Sequence, residues 1–276
     1  MKKATAIILF TVSAFISSAN STIDSLLAQL SKRQKKADRA LTLSNLAIAY
    51  ASIDPEKALD YANQGLGYSD KINSTGGKAA ANAALGITLY KNGKYNEAID
   101  FLDRALGLYR GINDVIGQGF VVSSLADSYN ASGRYQQAID GYFLSLHFRE
   151  AQRDTNGIGI AYQNLAGVYF KLDQKREGAE QLRKALEILK PSTLKLELAH
   201  CYYNIAILKF SGHYECDSSI YFIRNAVDIL EIIGEEQREL EYKNLLAEKL
   251  YECSSKTEGR KMAETVLARS IAKNYQ

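Results

Sequence analysis

A chain of 276 residues with 46% hydrophobic content has material for one large core or two ordinary ones, which excludes a disordered protein. Two prolines and no tryptophan, with abundant Ala, Leu, Tyr and Lys, favour helix over strand. With 34 basic and 31 acidic residues the formal charge is only +3, which is no nucleic-acid footprint.

At the N-terminus, Lys2-Lys3 precede an apolar run from Ala4 to Ile16, and Ser17-Ser18-Ala19 supply small residues. This order predicts a secretory signal cleaved near Ala19 and an exported product, periplasmic or secreted. The run is shorter than the roughly 20 residues a membrane span wants, and an uncleaved N-terminal anchor is the alternative. Without Lys2 and Lys3, 32 basic and 31 acidic residues remain. A capping helix is predicted over 24–36, with Leu26, Leu27 and Leu30 on one stripe. The basic cluster Lys32, Arg33, Lys35 and Lys36 reads as its solvated face.

Beyond the cap the chain repeats. The first unit, near 41–70, carries Leu46-Ala47, Tyr50 and Ala58, with Asp54 as a cap and Pro55 at the first helical position. The second, near 78–111, reads Leu85-Gly86, Gly93-Lys94-Tyr95, Ala98 and Ala105-Leu106. Forty residues on, near 118–151, the same places hold Leu125-Ala126, Gly133-Arg134-Tyr135, Ala138 and Ser145-Leu146. The fourth unit, near 158–190, has Leu165-Ala166, Asp173-Gln174-Lys175, Gly178 and Ala185-Leu186, so its turn departs from the pattern. The fifth, near 197–233, keeps Asn204-Ile205-Ala206 and Ala226-Val227. A degenerate sixth, near 237–272, has lost most of the small residues, as terminal units do when one face meets water.

Apolar spacings of three and four within a unit are helical, and the Gly93 region carries the turn signal, so each unit is helix A, turn, helix B. Gly86, Ala98 and Ala105 let the two helices approach closely. A period of 40 predicts helices of roughly 16 residues, about 24 Å long. Gly117-Gln118-Gly119 and Gly157-Ile158-Gly159 recur at the same period and read as inter-repeat turns, not as a nucleotide loop.

This pattern resembles the tetratricopeptide repeat (TPR): Leu-Gly in helix A, Gly-x-Tyr at the turn, and two alanines seven residues apart in helix B. Its usual period is about 34 residues, so the resemblance is to a long-period form of the bacterial exported type. The resemblance implies an all-α, right-handed α-solenoid of antiparallel hairpins, and a non-catalytic scaffold binding a protein or peptide through a concave groove. An alternative is a sensory or regulatory component of an envelope signalling system, like the TPR sensor region of membrane-linked histidine kinases or transcription regulators.

The groove-facing positions of helix A are predicted as Ala83, Ile87, Tyr90; Ser123, Asp127, Asn130; Gln163, Gly167, Phe170; and Tyr203, Ile207, Phe210. From these, with Lys91 and Lys171, the candidate binding residues are Tyr90, Lys91, Asp127, Asn130, Gln163, Phe170, Lys171, Tyr203 and Phe210. Packing between consecutive A helices is the competing role for the aromatics. The carboxylate clamp of chaperone-tail TPRs is absent, because its Lys and Asn positions hold Ala83, Ser123, Gln163 and Tyr203, then Ile87, Asp127, Gly167 and Ile207. Asn45, Asn164, Asn204 and Asn244 are expected to hydrogen-bond between helices, with contact to a ligand backbone as the alternative for Asn164 and Asn204.

His147, His200 and His213 sit in unrelated contexts, and the chain carries no nucleophile elbow, zinc motif or phosphate loop. No catalytic residue, metal site or cofactor is therefore expected. Cys201, Cys216 and Cys253 are an odd number; a bridge between Cys216 and Cys253 is conceivable, but idle thiols are the expectation.

Overall fold

The computed structural model describes residues 21–32, 35–207 and 214–274. Among them every regular element is a helix: α1 (21–31), α2 (Lys36–Tyr50), α3 (Pro55–Lys71), α4 (Thr75–Lys91), α5 (Tyr95–Gly111), α6 (Val115–Ala131) and α7 (Tyr135–Ala151). They continue as α8 (Thr155–Lys171), α9 (Lys175–Leu189), α10 (Lys195–Ile207), α11 (Tyr214–Ile233), α12 (Glu236–Cys253) and α13 (Lys256–Asn274). The expected signal segment, Phe210 and His213 lie outside the described residues. Helices α4, α6, α8 and α10 begin at Thr75, Val115, Thr155 and Lys195, forty residues apart.

The described residues fall into two compact units, divided between Asp154 and Thr155. In the first, α2/α3, α4/α5 and α6/α7 form hairpins stacked in chain order; in the second, α8/α9, α10/α11 and α12/α13 do the same. Each is an all-α stack with a core of its own. Leu102, Ala105 and Val121 are fully buried in the first, and Leu182, Leu189, Ile223 and Leu230 in the second. The cap also differs from its expected span: one helix covers 21–31 and the next starts at Lys36, so Lys36 opens α2 instead of lying on the cap.

Local chemistry sets the helix ends. Asp54, Ser74 and Asp114 accept the backbone N–H of Lys57, Gly77 and Gly117, and Pro55 stands at the start of α3. Hairpin turns pass through the left-handed region at Gly93 and Gly133, with φ of 76° and 78°. In the divergent fourth unit Asp173 takes that place at φ 56°, which its short polar side chain tolerates better than most. The turns between units use Asn73, Asn113 and Arg153 in the same region.

The paired glycines are not turns, contrary to expectation. Gly117, Gly119, Gly157 and Gly159 are buried inside α6 and α8, where absence of a side chain permits contact. A Cβ on Gly159 would meet Leu189 Cγ at 2.7 Å, and one on Gly117 would collide with the Tyr109 ring. Gly86 fulfils its expected role: a Cβ there would lie 2.6 Å from Leu102 Cγ.

The last hairpin compensates for its missing small residues with charge. Glu239, 5% exposed, accepts from Lys243 of its own helix and from Arg269 of α13; Lys243 also reaches Glu231 of α11, and Arg269 reaches Glu236. Burial pushes the Glu239 carboxyl up, but the hydrogen bonds from Arg269 and Lys243 outweigh it and hold the group below its ordinary value. Cys201 is buried, its thiol donating to the Leu182 carbonyl at 3.3 Å, and burial pushes its pKa up to about 12. It is the idle thiol expected. Cys253 is not, because it is disulfide-bonded.

Candidate binding surface on the A helices

In the first unit, α4 has almost no open face. Ala79 through Gly86 are all buried, including Ala83, which was expected to line a groove but is 1% exposed in the core with Ala79 and Leu102. The residues are too small to reach past neighbouring helices. Helix α4 opens only at its end, where Tyr90 is half-buried, tilted against Tyr95 at 5.9 Å, with Lys91 Nζ 5.6 Å from its ring centre.

Helix α6 is different. Gly117, Gly119, Val121, Val122, Leu125, Ala126 and Ser128 are buried; Ile116 and Phe120 are exposed, and Ser123, Asp127 and Asn130 continue the same helical stripe half-buried. Ile116 is 70% exposed and Phe120 46%. At the far end Asp127 accepts a hydrogen bond from Tyr142 of α7 at 2.6 Å, and Asn130 bonds the same phenol. Tyr142 is 1% exposed. Burial raises the Asp127 carboxyl above its ordinary value, although the Tyr142 hydrogen bond and the charges of Lys91 and Arg149 pull it down. Burial also raises Tyr90, followed by the nearby Asp127 charge. Four of the predicted residues, Tyr90, Lys91, Asp127 and Asn130, therefore meet in one place.

The second unit treats its aromatics otherwise. The Phe170 ring lies over Gly178 of its own hairpin, so close that a Cβ on that glycine would collide with it. The glycine that replaces Ala98 and Ala138 of earlier units makes the room, and Phe170 is packed against the unit's core. Gln163 is half-buried on α8 and Lys171 is exposed. Tyr203 lies flat on Tyr242 of α12, with ring centres 3.9 Å apart and planes 12° from parallel. Asn45 and Asn244 are exposed, not holding helices together, because each sits on an open face.

The comparisons with known proteins follow this geometry. The family model of the SusR N-terminal TPR domain matches residues 12–105. A signal-transduction ATPase (STAND) with a tetratricopeptide repeat sensor from Pyrococcus horikoshii superposes on 99% of the chain with a TM-score of 0.71 at 19% identity. The fold is that of a TPR protein. The chain spans 41% of that ATPase's length. Rap protein complexed with competence and sporulation factor matches with a TM-score of 0.66 at 14% identity, covering 97% of this chain and 74% of that one. Apo RapI gives 0.63 at 16% identity, over 98% and 97%. No curated protein matches.

The sequence reading of this TPR chain missed Ile116, Phe120 and Tyr142. Ile116 and Phe120 stand one and two turns ahead of Ser123, so extending the stripe backwards finds them. Tyr142 lies on a B helix, where a search along A helices does not look. Among the described residues no group of three or more His, Cys, Asp or Glu is placed to hold a metal ion, and no helix is long and apolar enough to cross a membrane.

Proposed function

We propose that the chain is an exported TPR scaffold, without chemistry of its own, that binds a peptide or protein segment along the open face of α6. One observation carries this reading: a single helix presents exposed Ile116 and Phe120 at one end and Asp127 with Asn130 at the other. Such a face offers apolar contact area and polar anchors in register with an extended or helical ligand. Tyr142 fixes Asp127 from below, so the anchor is preorganised before a ligand arrives. The solved Rap protein complexed with competence and sporulation factor is a precedent for a bound partner on this fold. Export is supported by the Lys2-Lys3, Ala4–Ile16 and Ser17-Ser18-Ala19 order, and by a disulfide at Cys253, which suits an oxidising compartment.

Regulation is a second reading, favoured by the match to the SusR N-terminal TPR domain and the likeness to the sensor-bearing ATPase. In it, the ligand bound on α6 is a signal, and the bound chain acts on an envelope kinase or transcription regulator. Both readings share one test. Tagged full-length chain is used to capture proteins from envelope extract, alongside Phe120→Ala with Asp127→Asn. Loss of the captured species with unchanged helicity is expected; equal capture by both overturns the assignment of the face.

A further inference from the structure

The second unit carries another open surface, of different chemistry. Tyr203 of α10, half-buried, is backed by the buried ring of Tyr242, so the pair forms a rigid aromatic platform. His200, one turn before Tyr203, lies with its ring centre 6.4 Å from that of Tyr242. Glu197 of α10 and Glu235 and Glu241 near the start of α12 are close enough to raise the His200 pKa, against burial and Arg238, which lower it and win.

The charge around this platform is uncompensated. Arg238 is the neighbouring cation, and it is already committed to Glu235 at 3.1 Å. Among the described residues Glu197 and Glu241 have no ion-pair partner, and Glu241 is exposed on α12 beside Tyr203 and Tyr242. An aromatic face with flanking carboxylates asks for a planar cation rich in N–H groups.

We infer that the α10–α12 surface binds an arginine-bearing segment of a partner protein, the guanidinium stacking on Tyr203 and pairing with Glu241. This inference rests on the reading of the chain as an interaction scaffold, but it uses a different surface and a different ligand chemistry from the α6 face. A chain of net charge +3 does not attract cations as a whole, so capture of a basic segment is local to this surface.

The test uses full-length protein and a fluorescein-labelled hexa-arginine peptide, with hexa-glutamate as the opposite probe, read by anisotropy. Hexa-arginine should bind and hexa-glutamate should not. Glu241→Gln and Tyr203→Ala should each weaken hexa-arginine binding about fivefold or more, the scale of one cation–π or partly exposed ionic contact. Tyr203→Phe should stay within about twofold of the parent because the ring remains. Glu264→Gln, which removes an exposed carboxylate on α13, should change nothing. Failure to bind hexa-arginine, or an equal loss with Glu264→Gln, overturns the inference. If Phe120→Ala with Asp127→Asn abolishes hexa-arginine binding while Glu241→Gln does not, this surface is wrong and the α6 reading stands.

Discussion

Asp127 in the first unit and Glu239 in the second are both carboxylates withdrawn from water, yet the protein treats them in opposite ways. Glu239 is met by Lys243 and Arg269, and its pKa falls; Asp127 is met mainly by a phenol, and its pKa rises. The first arrangement is a staple that fastens α13 to a hairpin short of small residues. The second holds Asp127 against a buried phenol, on the helix proposed above to carry a ligand. The direction of each shift is thus set by the partners a carboxylate meets, not by burial alone.

The largest effect that sharpens this contrast should come from Glu239→Gln. It leaves Lys243 and Arg269 facing an amide, and should destabilise the second unit by about 2–3 kcal/mol, read by denaturant unfolding with hydrogen exchange to localise the loss to α12 and α13. The pH dependence has a definite sign. A lowered folded pKa means stabilisation is present above the ordinary value of 4.5 and is lost as pH falls through the folded value, so α13 should loosen in acid before the first unit does.

A smaller and opposite effect is expected at Asp127. A raised folded pKa means that ionisation costs stability at neutral pH, and the cost disappears as pH falls towards 3.8 and below. Asp127→Asn keeps an acceptor for Tyr142 and should leave the first unit equal or more stable at pH 7 by less than about 1 kcal/mol, while ligand capture falls. A marked loss of stability would break the contrast, making Asp127 another staple.

The smallest expected change lies at Arg153, the end of the first unit. Its φ of 56° matches Asn73 and Asn113 at equivalent turns, so Arg153→Asn should stabilise by about 0.5 kcal/mol, measured as a rise in unfolding midpoint.

Much of this was legible in the sequence, for reasons tied to particular residues. Gly86, Ala98 and Ala105 announced close helix pairs because nothing larger fits where a Cβ meets Leu102. Asp54 with Pro55 announced the start of α3. Tyr90, Lys91, Asp127 and Asn130 were found together because helical spacing places them on A-helix faces. The paired glycines were misread, since a glycine in a turn and a glycine under a neighbouring side chain look alike in one dimension. Ala83 and Ile87 shared a stripe with Tyr90, but stripe membership does not say which part of it a neighbouring helix covers.

The sequence by itself determined the helix pairs and the Asp54-Pro55 start of α3, because these depend on contacts between residues a few turns apart. Only the tertiary structure decided which faces stay open, that the described chain forms two compact units, that Phe170 packs over Gly178, and that Tyr142 reaches Asp127. Each of those depends on which distant side chain arrives first, and local spacing carries no record of it.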